Sequence, residues 1–336
     1  MKSKLTIIFF LLLLVSSNAS GSPKKWWELY FTSPEIKYQL PNNPEIAITR
    51  AIKEAKTSFK GAFFEISSPK VIRTLIKAHQ KGIKVELVID SDYYHNPSVS
   101  KMIKAGLNIK TDGRNGLMHN KFAIIDDKIL WTGSYNLTRN GSLKNNNNAL
   151  KIYSPELAEI YKQEFHEMFE ENIYGNKKEL GPFPLLRKKS KLTIAGSPVA
   201  VFFSPEDDLQ SKIVTLIENS KKSIHFMAFS FTSKPIGEAM IKKFKEGIKV
   251  YGVFERRGSN TKYSEYLKMR LEGLPVKIDK NRYIMHHKVI ILDQEKVLTG
   301  SFNFSKNANQ KNDENILIIK NKKIAEKYIK EFQKIY

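Results

Sequence analysis

The stretch Leu117–Asn136, LMHNKFAIIDDKILWTGSYN, recurs as Ile284–Asn303, IMHHKVIILDQEKVLTGSFN. Both copies read His-x-Lys-(x4)-Asp-(x6)-Gly-Ser-x-Asn, and they lie 167 residues apart. A β-hairpin needs alternation and a turn, but not the same His, Lys, Asp, Gly, Ser and Asn at the same offsets. The repeat therefore speaks of chemistry as well as fold, and the remaining chain reads as a scaffold that brings the two copies together.

The flanks repeat as well. Ile46–Ala55 has helical spacing and pairs with Ile213–Ser220, while Lys60–Ile66 and Ser223–Phe231 are apolar, aromatic-rich strands. Amphipathic helices at Val71–Lys81 and Ile236–Glu246 both stop at a Gly, and Gly-Ile-Lys-Val then opens a strand at 82 and again at 247. Strand, helix, strand at this spacing is a βαβ unit, which predicts a mostly parallel sheet covered by helices. Each half closes on a matching helix, Leu157–Phe169 and Ile324–Tyr336. The expected layout is a first domain over 24–172, a Lys-, Gly- and Pro-rich linker over 173–198, and a second domain over 199–336.

At 336 residues and 41% hydrophobic, the chain can bury two cores of ordinary size. Lys2 and Lys4, the apolar run Leu5–Val15 and Ser17-Asn18-Ala19 together predict a cleaved secretory signal over residues 1–19, hence a secreted or periplasmic protein. Cleavage takes the net charge from +22 to +20, a surplus that attracts polyanions such as nucleic acid or anionic lipid. The chain has no Cys, which excludes disulfides, thiolate zinc sites and Cys nucleophiles.

Within a strand, alternate side chains share a face, so His119 pairs with Lys121, His286 with Lys288, Ser134 with Asn136, and Ser301 with Asn303. Lys beside His makes a poor divalent-metal site, because an ammonium adds positive charge and no ligand. The same groups suit an anion: Lys, Asn and Ser donors can surround a phosphate's non-bridging oxygens with no cofactor. Two imidazoles complete the chemistry, one attacking phosphorus and the other protonating the leaving oxygen and then activating water. Asp126 and Asp293 fall at the hairpin turn and read as structural.

On these motifs the sequence resembles the phospholipase D superfamily, whose signature is His-x-Lys-(x4)-Asp with the Gly-Ser-x-Asn extension, present here in both halves. Each half is about as long as the smallest members, single-motif bacterial endonucleases that dimerise. The resemblance implies one active site between two α/β/α sandwich halves related by a pseudo-two-fold axis, with mixed sheets and no metal. It also implies His119 as nucleophile and His286 as general acid. Members commonly place a Glu after the Asn to hold a catalytic His; Glu314 fits, but its counterpart is Asn147, so the halves are unequal.

Of the other candidates, His225 reads as packed, His79 and His166 as helix-surface residues, and His287 as facing away from phosphate. Tyr93-Tyr94-His95 and Arg256-Arg257 follow parallel strands and so sit where ligand crevices form. Trp26-Trp27 reads as packing under the sheet. The expected substrate is a nucleic-acid phosphodiester. The alternative is a phospholipid at a membrane surface, which the lack of long apolar insertions disfavours. One chain supplies both halves, so a monomer suffices.

Overall fold

Strands that are apolar at every position after a leading Lys, such as Lys121–Ile125 (KFAII) and Lys288–Leu292 (KVIIL), must be covered on both faces. The structure, a computed structural model describing residues 25–34, 41–113, 116–175, 177 and 190–336, shows how. Phe122 and Ile124 face one core while Ala123 and Ile125 face another; Val289 and Ile291 likewise oppose Ile290 and Leu292. Each half has its own outer core under its first helices, Pro44–Glu54 and Pro69–Gln80 or Leu209–Glu218 and Lys234–Lys245. The third core is shared. It takes both sheets and both closing helices, Pro155–Phe169 and Lys322–Ile335, including Tyr161, Phe165, Tyr328 and Phe332.

The first sheet has seven strands in the order Trp27–Phe31, Asn148–Tyr153, Ile129–Gly133, Lys121–Ile125, Ser58–Phe63, Lys84–Ile89, Asn108–Thr111. The second runs Val276–Ile278, Lys249–Phe254, Ser223–Ala228, Lys288–Leu292, Lys296–Gly300, Glu314–Lys320, Ser197–Ser204, Lys191–Ile194. Both sheets are mixed. The βαβ strands are parallel as expected, whereas the motif hairpin and the strands beyond it add antiparallel ladders, which outnumber the parallel ones in each sheet.

The expected signal peptide lies outside the described residues, as does the middle of the expected linker. The linker's end is corrected: Lys191–Ile194 pairs with Ser197–Ser204, so the second sheet begins inside the segment read as 173–198. Ala195 and Gly196 both have positive φ, 46° and 77°, and form the tight turn of this edge hairpin. Trp27 packs into the shared core, as its place in the first strand suggested.

Candidate active site

The two motif copies meet because each strand is anchored on the opposite half. Ile284–Met285 pairs in parallel with Asn145–Asn146, and His286 N–H donates to Asn146 O at 2.9 Å. The equivalent bridge joins Met118 to Asp313, with His119 N–H donating to Asp313 O at 3.0 Å. One residue further along, a side chain from the opposite half reaches each imidazole. His119 Nδ1 lies 2.8 Å from Glu314 Oε2, and His286 Nδ1 lies 2.9 Å from Asn147 Oδ1. These acceptors place a proton on each Nδ1 and leave each Nε2 as the lone-pair nitrogen.

The remaining contacts follow the repeat. Lys121 Nζ donates to His119 O at 2.7 Å and Lys288 Nζ to His286 O at 3.1 Å. Phe64 meets the His119 ring edge-to-face at 4.9 Å, and Phe229 meets His286 at 4.7 Å. Lys121 and Lys288 also lie over these Phe rings, at 5.2 and 4.7 Å. Both imidazoles and both ammonium groups are buried.

Burial sets the electrostatics. It holds both imidazoles well below their usual range, and the neighbouring Lys121 and Lys288 charges act in the same direction. Burial also lowers Lys121 to about 7, against the pull of Glu314, and lowers Lys288 well below the ordinary lysine range. It raises Glu314 to about 8, although Lys121, Ser301 and Asn312 favour the carboxylate. The site without an anion is therefore short of protons on its cations, and a phosphate among them would restore those protons. At pH 8, above the value for Lys121, inorganic phosphate should bind with net proton uptake. Calorimetry in buffers of differing ionisation enthalpy measures this; a buffer-independent enthalpy, or proton release, would contradict it.

Four of the expected phosphate donors divide into two classes. Asn136 and Asn303 are half-buried, and their buried Oδ1 atoms lack a hydrogen-bond partner among the described residues; only their Nδ2 groups could donate to a phosphate. Ser134 and Ser301 are corrected. Both are fully buried and their hydroxyls are engaged: Ser134 Oγ donates to Asn147 Oδ1 at 3.0 Å, and Ser301 Oγ accepts from Asn315 N–H at 2.9 Å and hydrogen-bonds Glu314. They brace the residues that brace the histidines. Strand alternation gave their face but not their depth. The preceding Gly is required by the same crowding: at Gly300, φ is +156° and an added Cβ would stand 2.2 Å from Asn315 O.

Asp126 and Asp293 hold the hairpin from its turn, as expected. Asp126 accepts from the backbone N–H groups of Lys56, Thr57 and Ser58, and Asp293 from those of Lys221, Lys222 and Ser223. Both have positive φ in a two-residue turn.

Sequence reasoning missed a second crossed pair. Asn315 Nδ2 donates to Asn120 Oδ1 at 2.7 Å, and Asn148 Nδ2 lies 3.0 Å from His287 Nδ1. Thr132 and Thr299 hold the two amide oxygens, each from the opposite half. The x residues thus face away from the phosphate groups and lock the halves together; the signal was the Asn shared by positions 148 and 315. Phe64 and Phe229 were also missed, though a Phe directly follows the same strand in both halves. Tyr93 borders the site by packing on Phe64 at 4.8 Å, while Arg256 and Arg257 are exposed. His225 stacks on Tyr251 and is packed, as read.

The model for the cardiolipin synthase, PLD-like domain family matches residues 48–169 and again 213–336. A phospholipase D from Rickettsia prowazekii is 35% identical over 136 residues, 40% of this chain and 66% of that protein. A mouse mitochondrial cardiolipin hydrolase is 34% identical over 126 residues, 37% of this chain and 57% of that protein. This chain therefore spans about two thirds or less of these two relatives. The crystal structure of a phosphatidylserine synthase from Haemophilus influenzae shares the fold, with a TM-score of 0.68 at 14% identity over 92% of this chain and 85% of that one. With the family domain matched in both halves and one His-Lys pair contributed by each, the chain belongs to the phospholipase D superfamily of phosphoric diester hydrolases.

Proposed function

We propose that this protein hydrolyses nucleic-acid phosphodiesters by two successive displacements at one site, without a metal. The observation that carries the reading is the crossed bracing: each half orients the imidazole of the other, so neither half holds a complete site. His119 Nε2 attacks phosphorus, forming a P–N bond as the P–O bond to the leaving group breaks. His286, protonated at Nε2 once the phosphate is bound, gives that proton to the leaving oxygen. His286 then takes a proton from water, whose oxygen displaces His119 and releases the product. The order follows from the braces. Glu314 can stabilise the cationic phosphohistidine on His119, while an imidazolium on the neutral Asn147 amide yields its proton more readily. Lys121, Lys288, Asn136 and Asn303 are the donors for the phosphate oxygens.

Nucleic acid is the leading substrate because the chain carries a formal charge of +22, or +20 once the proposed signal is removed. A phospholipid is the second reading. Leu267 and Leu271, 63% and 80% exposed beside Lys268 and Arg270, give it a basic-apolar surface. No helix among the described residues is long and apolar enough to cross a membrane.

The experiment is to incubate the purified protein, in chelator, with single- and double-stranded DNA, RNA, and phosphatidylcholine or cardiolipin vesicles. Cut nucleic acid with intact lipid is expected. Headgroup release with intact nucleic acid would overturn the substrate, and dependence on added divalent metal would overturn the mechanism. We further propose that the protein works as an exported monomer, since one chain supplies both halves.

A further inference from the structure

Beside His286 the surface is both basic and aromatic. A cleft of about 460 Å³ opens there, with Lys280, Arg282, Tyr283 and Asn146 among its lining residues. Two cations lie near the Tyr283 ring, with Lys144 Nζ 5.0 Å and the Arg282 guanidinium 5.3 Å from its centroid. The wall is held rigid by Asn281, whose Nδ2 donates to Lys144 O, Asn146 Oδ1 and Ile284 O at 2.9, 2.7 and 3.1 Å. The main chain of Asn146 in turn accepts from His286 N–H, so the cleft and the imidazole share one support.

The internal repeat provides a control for what this surface is for. Residues needed only to build the loop before the motif should recur in the other half. Asp279 does recur, as Asp112, and both carboxylates cap the short helix after the preceding strand, through Arg256 N–H and Ser91 N–H. Lys277 recurs as Lys110, each lying over the aromatic ring that ends its half's closing helix. Lys280 and Tyr283 do not recur: their counterparts are Gly113 and Gly116. The fold is built without a lysine or an aromatic ring at these positions, so these two side chains serve something outside it.

We infer that this cleft is a second binding site, for a single nucleic-acid strand running from the scissile phosphate past His286. Lys144, Lys280 and Arg282 meet the flanking phosphates, and a base stacks on Tyr283. Cations around a stacking ring fit an alternation of phosphate and base; a phospholipid headgroup offers an anion but no ring, and the opened acyl side would meet exposed lysines. This rests on the nuclease reading and adds a direction to it. With His286 as leaving-group acid, the limb held in the cleft departs first, while the other limb stays on His119.

The test compares wild type with the double variant Arg282→Ser and Tyr283→Ser on three substrates: bis-p-nitrophenyl phosphate, a dinucleotide, and a long single-stranded oligonucleotide. Wild type should prefer the oligonucleotide to the dinucleotide. The double variant should keep its rate on the chromogenic diester, while KM for the oligonucleotide rises about tenfold or more and its salt dependence flattens. Equal oligonucleotide KM in variant and wild type would overturn the inference, as would a loss confined to cardiolipin vesicles. Loss of the chromogenic activity as well would also overturn it, by placing these residues in the fold or the catalytic site. If wild type cleaves the chromogenic diester but no oligonucleotide, the nuclease reading has failed; binding of an uncleavable phosphorothioate strand by wild type and not by the variant then judges the cleft on its own.

Discussion

His119→Ala and His286→Ala should each lower turnover of an oligonucleotide by about 10³-fold or more, with the protein still folded. The expectation is as large for one half as for the other because neither holds a complete site. His119 depends on Glu314 from the second half, and His286 on Asn147 from the first. Folding should survive, since neither ring belongs to the shared core, which is formed by other side chains. The single variants should resemble the double variant rather than add to it, because groups that act in one reaction are not additive. Retention of half the activity in either single variant, with circular dichroism unchanged, would mean two independent sites and would refute the shared one.

Glu314→Gln is expected to cost about 10²-fold in turnover, on the scale of losing a residue that orients a reacting group. The carboxyl does more than hold the ring: as His119 becomes cationic on attack, Glu314 in its ionised form, 2.8 Å from Nδ1, stabilises the charge. A Gln of similar shape keeps the geometry and removes that stabilisation. The loss should therefore persist on p-nitrophenyl esters, whose leaving group needs no protonation. Asn147→Glu should behave differently. Giving His286 a carboxylate makes its imidazolium a weaker acid, so alkyl leaving groups should slow while p-nitrophenolate release changes little. If the leaving-group dependence appeared in the Glu314 variant instead, the roles of the two histidines would be reversed.

Much of this was legible from the repeat. A motif present twice with identical offsets placed both His-Lys pairs on strand faces, and the break in symmetry at Glu314 and Asn147 was visible as a pair of unlike residues. What a single sequence does not carry is the crossing. Nothing in the spacing of Asp313-Glu314 says that its strand runs beside Met118-His119, because that contact is made through packing of two sheets and two helices into one core. The serines show the same limit. Period-two alternation assigned Ser134 and Ser301 to the right face, but depth depends on what lies above them, and Asn147, Glu314 and Asn315 occupy that space. At the linker, composition alone assigned 173–198 to a connection, although Ala195-Gly196 within it is the turn of an edge hairpin.

The central claim is a covalent phosphorus–nitrogen bond on one particular ring. The most direct measurement is to mix the protein with a labelled diester in chelator, quench under conditions that preserve phosphoramidates, and map the label by peptide mass spectrometry. The expected result is label on His119, and more of it in His286→Ala with a p-nitrophenyl ester, since that leaving group departs unaided while water attack loses its base. Label on His286, or no covalent adduct under single-turnover conditions with product forming, would contradict it.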